Sequence, residues 1–308
     1  MWLQLWAALR VYVLGVCEMA AQLLGRCRGG FRETASLPPQ PGRVAIVTGG
    51  TDGLGLAAAR RMAELRMRVV LAGNNTARAE AAVREVTEQT GNDQVEFMYL
   101  DLGSQHSVRE FVREFKAKQI PLHVLVNNAG VMMVPRRITP DGLEEHFAVN
   151  YLGHFLLTLL LLDLLRASGT PTRTARVVNV TSATHHLGYI CMDDLQGSRA
   201  YSPHAAYAQS KLALLLFTFR LHRLLSAGEE EDEGRHDAPL VTALAVDPGV
   251  VDTGLYRHLW WGARLVKRLL GRWAFKAPAE ASWLLAWAAA APGAARGGGR
   301  LLRMRAGG

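Results

Sequence analysis

The stretch that decides the fold of this 308-residue chain reads Val44-Ala45-Ile46-Val47-Thr48-Gly49-Gly50-Thr51-Asp52-Gly53-Leu54-Gly55. A short apolar strand runs directly into a glycine-rich turn, and a helical pattern over Leu56–Leu65 follows. Glycines allow a tight turn in which backbone N–H groups approach a phosphate at the positive end of a helix. A glycine-rich turn alone is weak evidence, but this position between a first strand and a first helix predicts a nucleotide site. No Walker-type Gly-Lys-Ser/Thr follows, which argues against a nucleoside triphosphatase.

The rest of the chain alternates β-branched runs with longer helical patterns. The predicted strands are Val44–Val47, Val69–Ala72, Val95–Leu100, Val124–Asn127, Val177–Val180 and Val241–Val246. Helices are predicted between them, among others over Leu56–Leu65, Ser104–Lys118, Leu143–Leu165 and Ala205–Leu225. Apolar strands separated by helices indicate a parallel sheet covered on both faces. The predicted fold class is therefore α/β, a doubly wound Rossmann fold with its ligand site at the carboxyl ends of the strands.

An apolar segment, Trp2 to Leu24, precedes this pattern. As a helix rising about 1.5 Å per residue, it is long enough for a hydrocarbon core of roughly 30 Å. Arg10 and Glu18 are costly inside a bilayer, which favours a tilted span or an interfacial helix. The alternative is an amphipathic helix docked on the protein's own surface. A cleaved signal peptide is disfavoured, because the segment lacks a basic start and a convincing small-residue cleavage site.

We therefore divide the chain into three parts. Residues 1–25 are predicted to be an N-terminal membrane anchor or interfacial helix, residues 26–42 a basic and proline-rich linker, and residues 43–308 the α/β domain. The linker contains Arg26, Arg28 and Arg32, which the positive-inside rule holds on the cytosolic side of a membrane. We thus expect the α/β domain to face the cytosol.

Several polar residues lie where a ligand site is expected. Tyr207 and Lys211 are four residues apart at the start of a helical pattern, so the phenol and the ammonium share a helix face. A nearby cation favours the phenolate, which makes the tyrosine usable as a proton donor and acceptor near neutral pH. Ser182 follows the fifth strand, and Asn127-Asn128-Ala129-Gly130 follows the fourth. Asn150 lies inside a predicted helix. Because asparagine is a mediocre helix former, its presence there suggests a polar role for its side chain.

This ordered set resembles the motifs of the short-chain dehydrogenase/reductase family. The motifs are Thr48 to Gly55, Asp101-Leu102, Asn127 to Gly130, Asn150-Tyr151-Leu152-Gly153-His154, Ser182, Tyr207 with Lys211, and Pro248 to Thr253. The resemblance covers roughly Arg43 to Ala290. The spacing of 25 residues from Ser182 to Tyr207 is similar to that of the retinol-dehydrogenase-like branch.

The resemblance implies a role for each of these residues. Tyr207 would be the general acid/base, and Lys211 would lower its pKa and hold the nicotinamide ribose. Ser182 would hydrogen-bond the reacting carbonyl oxygen, and Asn150 would position a water in a proton relay. The implied cofactor-binding set is Gly49, Thr51, Asp52, Gly53, Leu54, Gly55, Asn74, Asp101, Leu102, Asn128, Ala129, Gly130, Tyr207, Lys211, Pro248, Gly249, Val250 and Thr253. Hydride passes directly between cofactor and substrate, so no metal is expected.

The end of the second strand selects between the two nicotinamide dinucleotides. An acidic residue there binds the ribose 2′-hydroxyl, whereas an arginine accommodates a 2′-phosphate. Gly73, Asn74 and Asn75 are neither. Asp52 would repel a 2′-phosphate if it points that way, and Arg78 would partly compensate. We expect NAD, with NADP or dual use left open.

Residues 255–275, where the family has its substrate lid, show the pattern of a basic amphipathic helix. One stripe contains Arg257, Arg264, Arg268 and Arg272, and the opposite side contains Leu259, Val266, Leu269, Leu270 and Trp273. This pattern is typical of a membrane-surface segment, although a helix packing its apolar face on the domain is the alternative. Both readings predict a lipophilic substrate. The resemblance implies a retinoid or a long-chain isoprenoid alcohol or aldehyde, such as a polyprenol or a dolichal-type compound, and leaves steroids open.

Composition excludes several other classes of protein. The net charge is +8, but the basic residues cluster at the linker, the lid and the C-terminal end without a nucleic-acid-binding fold. We therefore expect no nucleic-acid partner. The three cysteines are odd in number and widely spaced, which indicates neither a disulfide framework nor a metal site. His185 and His186 lack a third ligand nearby, and the acidic run Glu229 to Glu233 is predicted to be a solvated loop.

The C-terminal end departs from the family pattern. After a predicted helix over Pro278–Ala290, related enzymes have a final strand, whereas this chain is rich in glycine and arginine, and only Leu301-Leu302 offers a short, poor strand. We therefore describe the C-terminal end as truncated. A rival hypothesis is a lipid-associated binding protein without turnover, which the intact catalytic set argues against. We expect an endoplasmic-reticulum membrane or lipid-droplet location, with a possible homodimer.

Overall fold

The computed structural model describes residues 2–27, 36–227, 239–258, 267–268, 271 and 273–303. The strands are β1 (Val44–Thr48), β2 (Arg68–Gly73), β3 (Val95–Tyr99), β4 (Val124–Asn127), β5 (Ala175–Val180), β6 (Val241–Asp247) and β7 (Leu301–Arg303). They form one parallel sheet in the order β3-β2-β1-β4-β5-β6-β7. The order reverses beside β1, so the carboxyl ends of β1 and β4 flank a crevice for a ligand. The predicted fold class is confirmed.

Helices cover both faces of the sheet. They are α1 (Trp2–Cys27), α2 (Gly53–Glu64), α3 (Thr76–Thr90), α4 (Gln105–Ala117), α5 (Gly153–Ser168), α6 (Pro203–Ala227) and α7 (Pro278–Ala290). One apolar core lies between the sheet and α2, α3 and α7, and the other lies between the sheet and α4, α5 and α6. The central strands are buried on both faces, which explains why they are apolar throughout.

The predicted helix over Leu143–Leu165 is not continuous. A single turn, Glu145–Phe147, is followed by a π turn over Ala148–Leu152, and α5 begins only at Gly153. Asn150 lies in this π turn, and its side chain is hydrogen-bonded to both backbone groups of Val131. Such π turns occur frequently at functional sites, because they reorient a side chain within a helix.

The C-terminal end forms a strand in spite of its arginines. Leu301 and Leu302 pair with Ala245 and Val246 of β6. Arg303 forms an ion pair with Glu18 and lies 3.5 Å from the carboxylate of Asp247, so the charge expected to disfavour a strand is neutralised. The sheet therefore has a seventh strand at this edge, although it is only three residues long.

The N-terminal helix α1 is docked on the α/β domain. It packs against α6 and against the turn Ala183–Leu187 that follows β5, so it lies across the carboxyl edge of the sheet. By length and composition, two segments of the described chain could cross a membrane, Leu5–Cys27 and Glu145–Ser168. The second is a core helix. Arg28, Arg32, the acidic run 229–233 and most of the predicted lid helix lie outside the described residues.

Candidate active site

A cavity of about 1050 Å³ opens at the carboxyl ends of the strands. Every residue of the predicted cofactor-binding set lines it, and so do Ser182, Tyr207 and Lys211. Asn150 lies just behind the wall. A Cβ atom built on Gly130 would be 3.0 Å from Asn150 Oδ1 and 3.7 Å from Lys211 Nζ, so both side chains lie close to this glycine. The structure thus brings the predicted site residues together.

The glycine-rich turn connects β1 to the first turn of α2. Asp52 is the N-cap of α2 and accepts a hydrogen bond from the Gly53 N–H at 2.8 Å. Gly55 has no room for a side chain, since a Cβ atom there would lie 2.2 Å from Gly49 O and 2.5 Å from Asn128 Nδ2. The turn therefore brings the backbone to the cavity wall at the positive end of a helix, which fits a dinucleotide pyrophosphate.

Thr48 holds the two halves of this crevice together. Its hydroxyl oxygen accepts hydrogen bonds from the backbone N–H groups of Asn128 at 2.9 Å and Ala129 at 3.0 Å. Asn128 Nδ2 in turn donates to the Thr48 carbonyl oxygen at 2.9 Å. The ends of β1 and β4 are thus fixed to each other, which explains why the glycine-rich turn and the Asn127 to Gly130 motif occur together.

The charges beside the end of β2 neutralise each other. Asn74 and Asn75 line the cavity, and the carboxylate of Asp52 forms an ion pair with Arg78 at 2.8 Å. Both side chains are about half exposed, at 56% and 52%. Arg78 therefore does not present an uncompensated positive charge to a 2′-phosphate.

Tyr207 and Ser182 form the floor of the cavity. Tyr207 is 3% exposed and lies on the inner face of α6, while Ser182 follows β5. Burial raises the pKa of the Tyr207 phenol, a hydrogen bond with the Ser182 hydroxyl lowers it in part, and the negative charge of Asp247 raises it further. The phenol is therefore held in its protonated form, with the serine hydroxyl beside it.

Lys211 lies one helical turn from Tyr207 and is almost fully buried. Its ammonium donates to the Val180 carbonyl oxygen at 2.9 Å and lies 5.9 Å from the centre of the Tyr207 ring. Burial lowers the pKa of Lys211 to about 8, although the Asp247 carboxylate opposes this change. The lysine can thus change its protonation state near physiological pH.

Asn150 makes hydrogen bonds to protein groups with both of its amide protons. Nδ2 donates to the Val131 carbonyl oxygen at 3.0 Å and to Ser210 Oγ at 2.9 Å, and Oδ1 accepts from the Val131 N–H at 2.8 Å. It therefore fastens the turn after β4 to α6, next to Lys211.

A buried polar cluster beside Tyr207 was not predicted. Glu144 and His146 are 1% and 0% exposed, and Glu144 Oε1 lies 2.7 Å from His146 Nδ1. The Tyr201 hydroxyl donates to Glu144 Oε1 at 3.1 Å, and the His146 ring lies 6.3 Å from the Tyr207 ring. Burial raises the pKa of Glu144, but hydrogen bonds from His146 outweigh this and keep it below its usual value. Glu144 and His146, two residues apart at the start of an apolar helical pattern, were the available signal.

Two further walls of the cavity come from distant parts of the chain. From the predicted lid, Leu255, Tyr256, Lys267 and Phe275 line it, and Lys267 Nζ pairs with Asp252 at 2.8 Å. From α1, the lining residues are Val11, Tyr12, Leu14, Gly15, Val16, Glu18 and Met19. The sequence did not predict that the N-terminal segment contributes to the site.

Comparisons with known proteins agree with this geometry. A family model described as short chain dehydrogenase matches residues 43–261. Polyprenol dehydrogenase from Homo sapiens is 59% identical over 286 residues, which are 93% of this chain and 84% of that protein. Retinol dehydrogenase 11 from Homo sapiens is 43% identical over 72% of this chain and 67% of that protein. The crystal structure of an uncharacterized protein from Mycobacterium paratuberculosis is 34% identical, with a TM-score of 0.66, over 87% of this chain and 82% of that one.

Proposed function

The chain belongs to the short-chain dehydrogenase family, and we propose that it interconverts a long isoprenoid alcohol and its aldehyde. It is an NAD(P)-dependent oxidoreductase, as family membership and the dinucleotide crevice together indicate. The proposal is carried by one observation: Ser182, Tyr207 and Lys211 converge at the floor of a largely apolar cavity, in a chain 59% identical to a polyprenol dehydrogenase.

We assign the proton transfer to Tyr207. In the oxidation of an alcohol, Tyr207 must first lose its proton, and the phenolate oxygen then accepts the hydroxyl proton of the alcohol. In the reverse direction the neutral phenol, which burial favours, gives its proton to the carbonyl oxygen. A bound dinucleotide supplies the hydride chemistry, for which amino-acid side chains have no equivalent. The Ser182 hydroxyl lowers the pKa of the phenol and lines the cavity with it, so it is suited to bind the substrate oxygen.

Lys211 and Asn150 support Tyr207 in different ways. The Lys211 ammonium lies 5.9 Å from the centre of the Tyr207 ring, and a cation at that position favours the phenolate that alcohol oxidation requires. Asn150 is assigned a positioning role, because both of its amide protons are already bound to Val131 and Ser210. Through Val131 and Ser210 it holds the neighbours of Gly130 and Lys211 in place, and its carbonyl oxygens can still accept a hydrogen bond from the water of a proton relay.

We propose a preference for NAD over NADP. A 2′-phosphate beside Asn74 would meet the Asp52 carboxylate as well as Arg78, and these two charges cancel. A 2′-hydroxyl needs only a hydrogen-bond partner, which Asn74 can provide. NADP is thereby disfavoured but not sterically blocked, since Gly73 and Asn74 are small.

We further propose that the protein works at a membrane or lipid-droplet surface, with the endoplasmic reticulum as its location. The exposed side of α1 is apolar, with Leu5, Trp6 and Leu9 each more than half exposed, and the same helix lines the cavity. A long isoprenoid is soluble only in lipid, so an apolar surface next to the cavity mouth suits its transfer. A retinoid is the second candidate substrate, favoured by the similarity to retinol dehydrogenase 11.

Turnover by detergent-solubilised full-length protein tests this proposal. Polyprenol, retinol and a steroid alcohol are each supplied with NAD or NADP, and dinucleotide reduction is followed by absorbance. We expect polyprenol oxidation with NAD, and a Tyr207→Phe variant with kcat reduced about 10²–10⁴-fold but unchanged dinucleotide binding. Equal turnover by the variant would contradict the assignment of Tyr207. Dinucleotide binding without turnover of any alcohol would favour a binding protein instead.

A further inference from the structure

The polar residues in the second half of α1 form a single stripe. Glu18, Gln22 and Arg26 are four residues apart, so they lie on one face of the helix. All three side chains point at the α/β domain and contact segments far away in the sequence. Glu18, one of the two charged residues that make a clean membrane span unfavourable, therefore helps to attach the helix to the domain.

Gln22 is the central contact. Its Oε1 accepts a hydrogen bond from the Val250 N–H at 2.7 Å, and its Nε2 donates to the Ala274 carbonyl oxygen at 3.0 Å and the Val250 carbonyl oxygen at 3.2 Å. Gly249 makes this approach possible: its φ is +77°, and a Cβ atom there would lie 2.4 Å from Gln22 Oε1. One side chain of α1 thus fixes the backbone of the Pro248 to Thr253 loop, which lines the cofactor crevice.

Glu18 and Arg26 fasten the helix on either side of this contact. Glu18 pairs with Arg303 of β7, whose guanidinium also approaches Asp247. Arg26 donates to the carbonyl oxygens of Trp273 and Phe275 and pairs with Glu280 at 3.2 Å. The helix is therefore tied to the last strand, the cofactor loop and the start of α7.

The neighbouring positions of α1 complete the cavity. Val11 is 7% exposed, and with Gly15 and Met19 it lines the cavity. The Tyr12 ring packs edge-to-face on His204 at 5.3 Å, beside the turn that leads to Tyr207. Leu9, Val13 and Leu24 lie on the opposite side of the helix, and all are more than half exposed.

We propose that α1 is a structural wall of the active site and a brace for its cofactor loop, with Glu18, Gln22 and Arg26 as the latch and Gln22 as a positioning residue. The apolar outer face then lies in the lipid surface, so the cavity is held at that surface in a fixed orientation. The proposal rests on the proposed function only for the identity of the substrate. A flexible tether would require none of the three latch contacts.

Hydrogen exchange and dinucleotide binding test the latch without requiring turnover. The parent protein is compared with Gln22→Leu and with Ala21→Leu. Ala21 is a matched control, because it immediately precedes Gln22 in the helix, is exposed and does not line the cavity. In the parent and in Ala21→Leu, we expect slow exchange at Val250. In Gln22→Leu, we expect faster exchange there and an NADH dissociation constant raised about tenfold, since the loop amide loses its partner.

The outcomes separate this proposal from the proposed function. Unchanged exchange and unchanged NADH affinity in Gln22→Leu would overturn the latch, whatever the enzyme turns over. If Gln22→Leu does not fold, exchange in the parent decides: a Val250 amide that exchanges as fast as in an unfolded peptide also overturns the latch. Slow exchange at Val250 without activity on any isoprenoid would support the latch proposal and would contradict the proposed substrate class.

Discussion

Two helical segments of this protein have nearly the same length and apolar character but opposite surroundings. Leu5–Cys27 and Glu145–Ser168 contain 23 and 24 residues, and both are apolar enough to cross a membrane. In the second, 44% of the most apolar window is buried inside the protein, whereas in the first only 6% is. Overall hydropathy therefore does not distinguish a helix that the protein covers from one that it leaves exposed.

Both segments carry a polar stripe with the same spacing. In the core segment, Asn150, His154 and Thr158 are four residues apart, and all are 0% exposed. His154 Nε2 lies 2.9 Å from Thr48 Oγ1, and Thr158 Oγ1 accepts from Asn127 Nδ2 at 2.9 Å. In α1, the stripe of Glu18, Gln22 and Arg26 also bonds to the α/β domain. In both segments, the polar stripe is therefore on the side that contacts the α/β domain. The segments differ in the opposite side, which is largely exposed in α1 and more buried in the core segment.

A pair of leucine truncations tests this difference most strongly. Leu161 is 0% exposed in α5, and Leu24 is 59% exposed in α1. We expect Leu161→Ala to lower the free energy of unfolding by about 3 kcal/mol, because it leaves a cavity in a packed core. We expect Leu24→Ala to lower it by less than about 0.5 kcal/mol. Chemical denaturation of both variants is the measurement, and equal losses would show that the outer face of α1 is also covered.

The pH dependence of stability tests the buried stripe of the core segment. Burial lowers the pKa of His154 to about 3, against about 6.5 in an unfolded chain. Above pH 6.5 the imidazole is neutral in both states; as the pH falls below 6.5, only the unfolded chain takes up the proton, so stability is lost. Between pH 7 and pH 5 this single group contributes a loss of about 2 kcal/mol. His154→Gln should reduce the measured pH dependence by that amount, and an unchanged slope would contradict a neutral buried histidine.

Lipid binding should reverse the ranking of the two leucines. We expect Leu24→Ala to weaken binding to phospholipid vesicles about five- to tenfold, since each buried methylene is worth about 0.8 kcal/mol and the side chain enters lipid only in part. The Leu161→Ala variant, assayed at a temperature where it is folded, should bind vesicles as the parent does. Vesicle co-sedimentation measures both. If neither variant changes binding, the exposed face of α1 is not a lipid contact.

The smallest effect is expected at the ion pair between α1 and β7. The Glu18 side chain is 16% exposed and that of Arg303 is 35% exposed, so solvent screens the pair in part. We expect Glu18→Gln to lower the free energy of unfolding by about 1 kcal/mol or less, with the difference shrinking further as salt is raised. Denaturation at low and high salt is the measurement. A loss that does not respond to salt would indicate packing of the helix instead of charge.

The sequence predicted the sheet and the contents of the dinucleotide crevice with few errors. Strands that are apolar throughout and motifs at their carboxyl ends depend on local spacing, which a sequence displays directly. Gly55, Asn128 and Tyr207 were assigned to the site for this reason, and all three line the cavity. The π turn around Asn150 was missed; the Asn150 side chain there bonds to Val131 on another segment, and the sequence does not display such a contact.

Features that depend on pairing between distant residues were harder to predict. Arg303 was expected to disfavour a strand, yet Glu18 and Asp247 neutralise it. Arg78 was expected to help a 2′-phosphate, but it pairs with Asp52. Glu18 was interpreted as a cost inside a bilayer, although the same spacing of polar residues also suits a docked helix. At each of these positions, the residue that pairs with the charged side chain determines its effect on the structure. A single sequence does not show which distant residue that is.

The tie between Glu18 and Arg303 joins residues 285 positions apart, and this separation has a consequence for the order of assembly during synthesis. The helix α1 leaves the ribosome long before its partners at Val250, Ala274 and Arg303 are made. Until then α1 can pack against the turn Ala183–Leu187 and against α6, but the polar stripe of Glu18, Gln22 and Arg26 lacks these partners. The contacts that fix the orientation of α1 therefore form late in synthesis, after most of the sheet has been made.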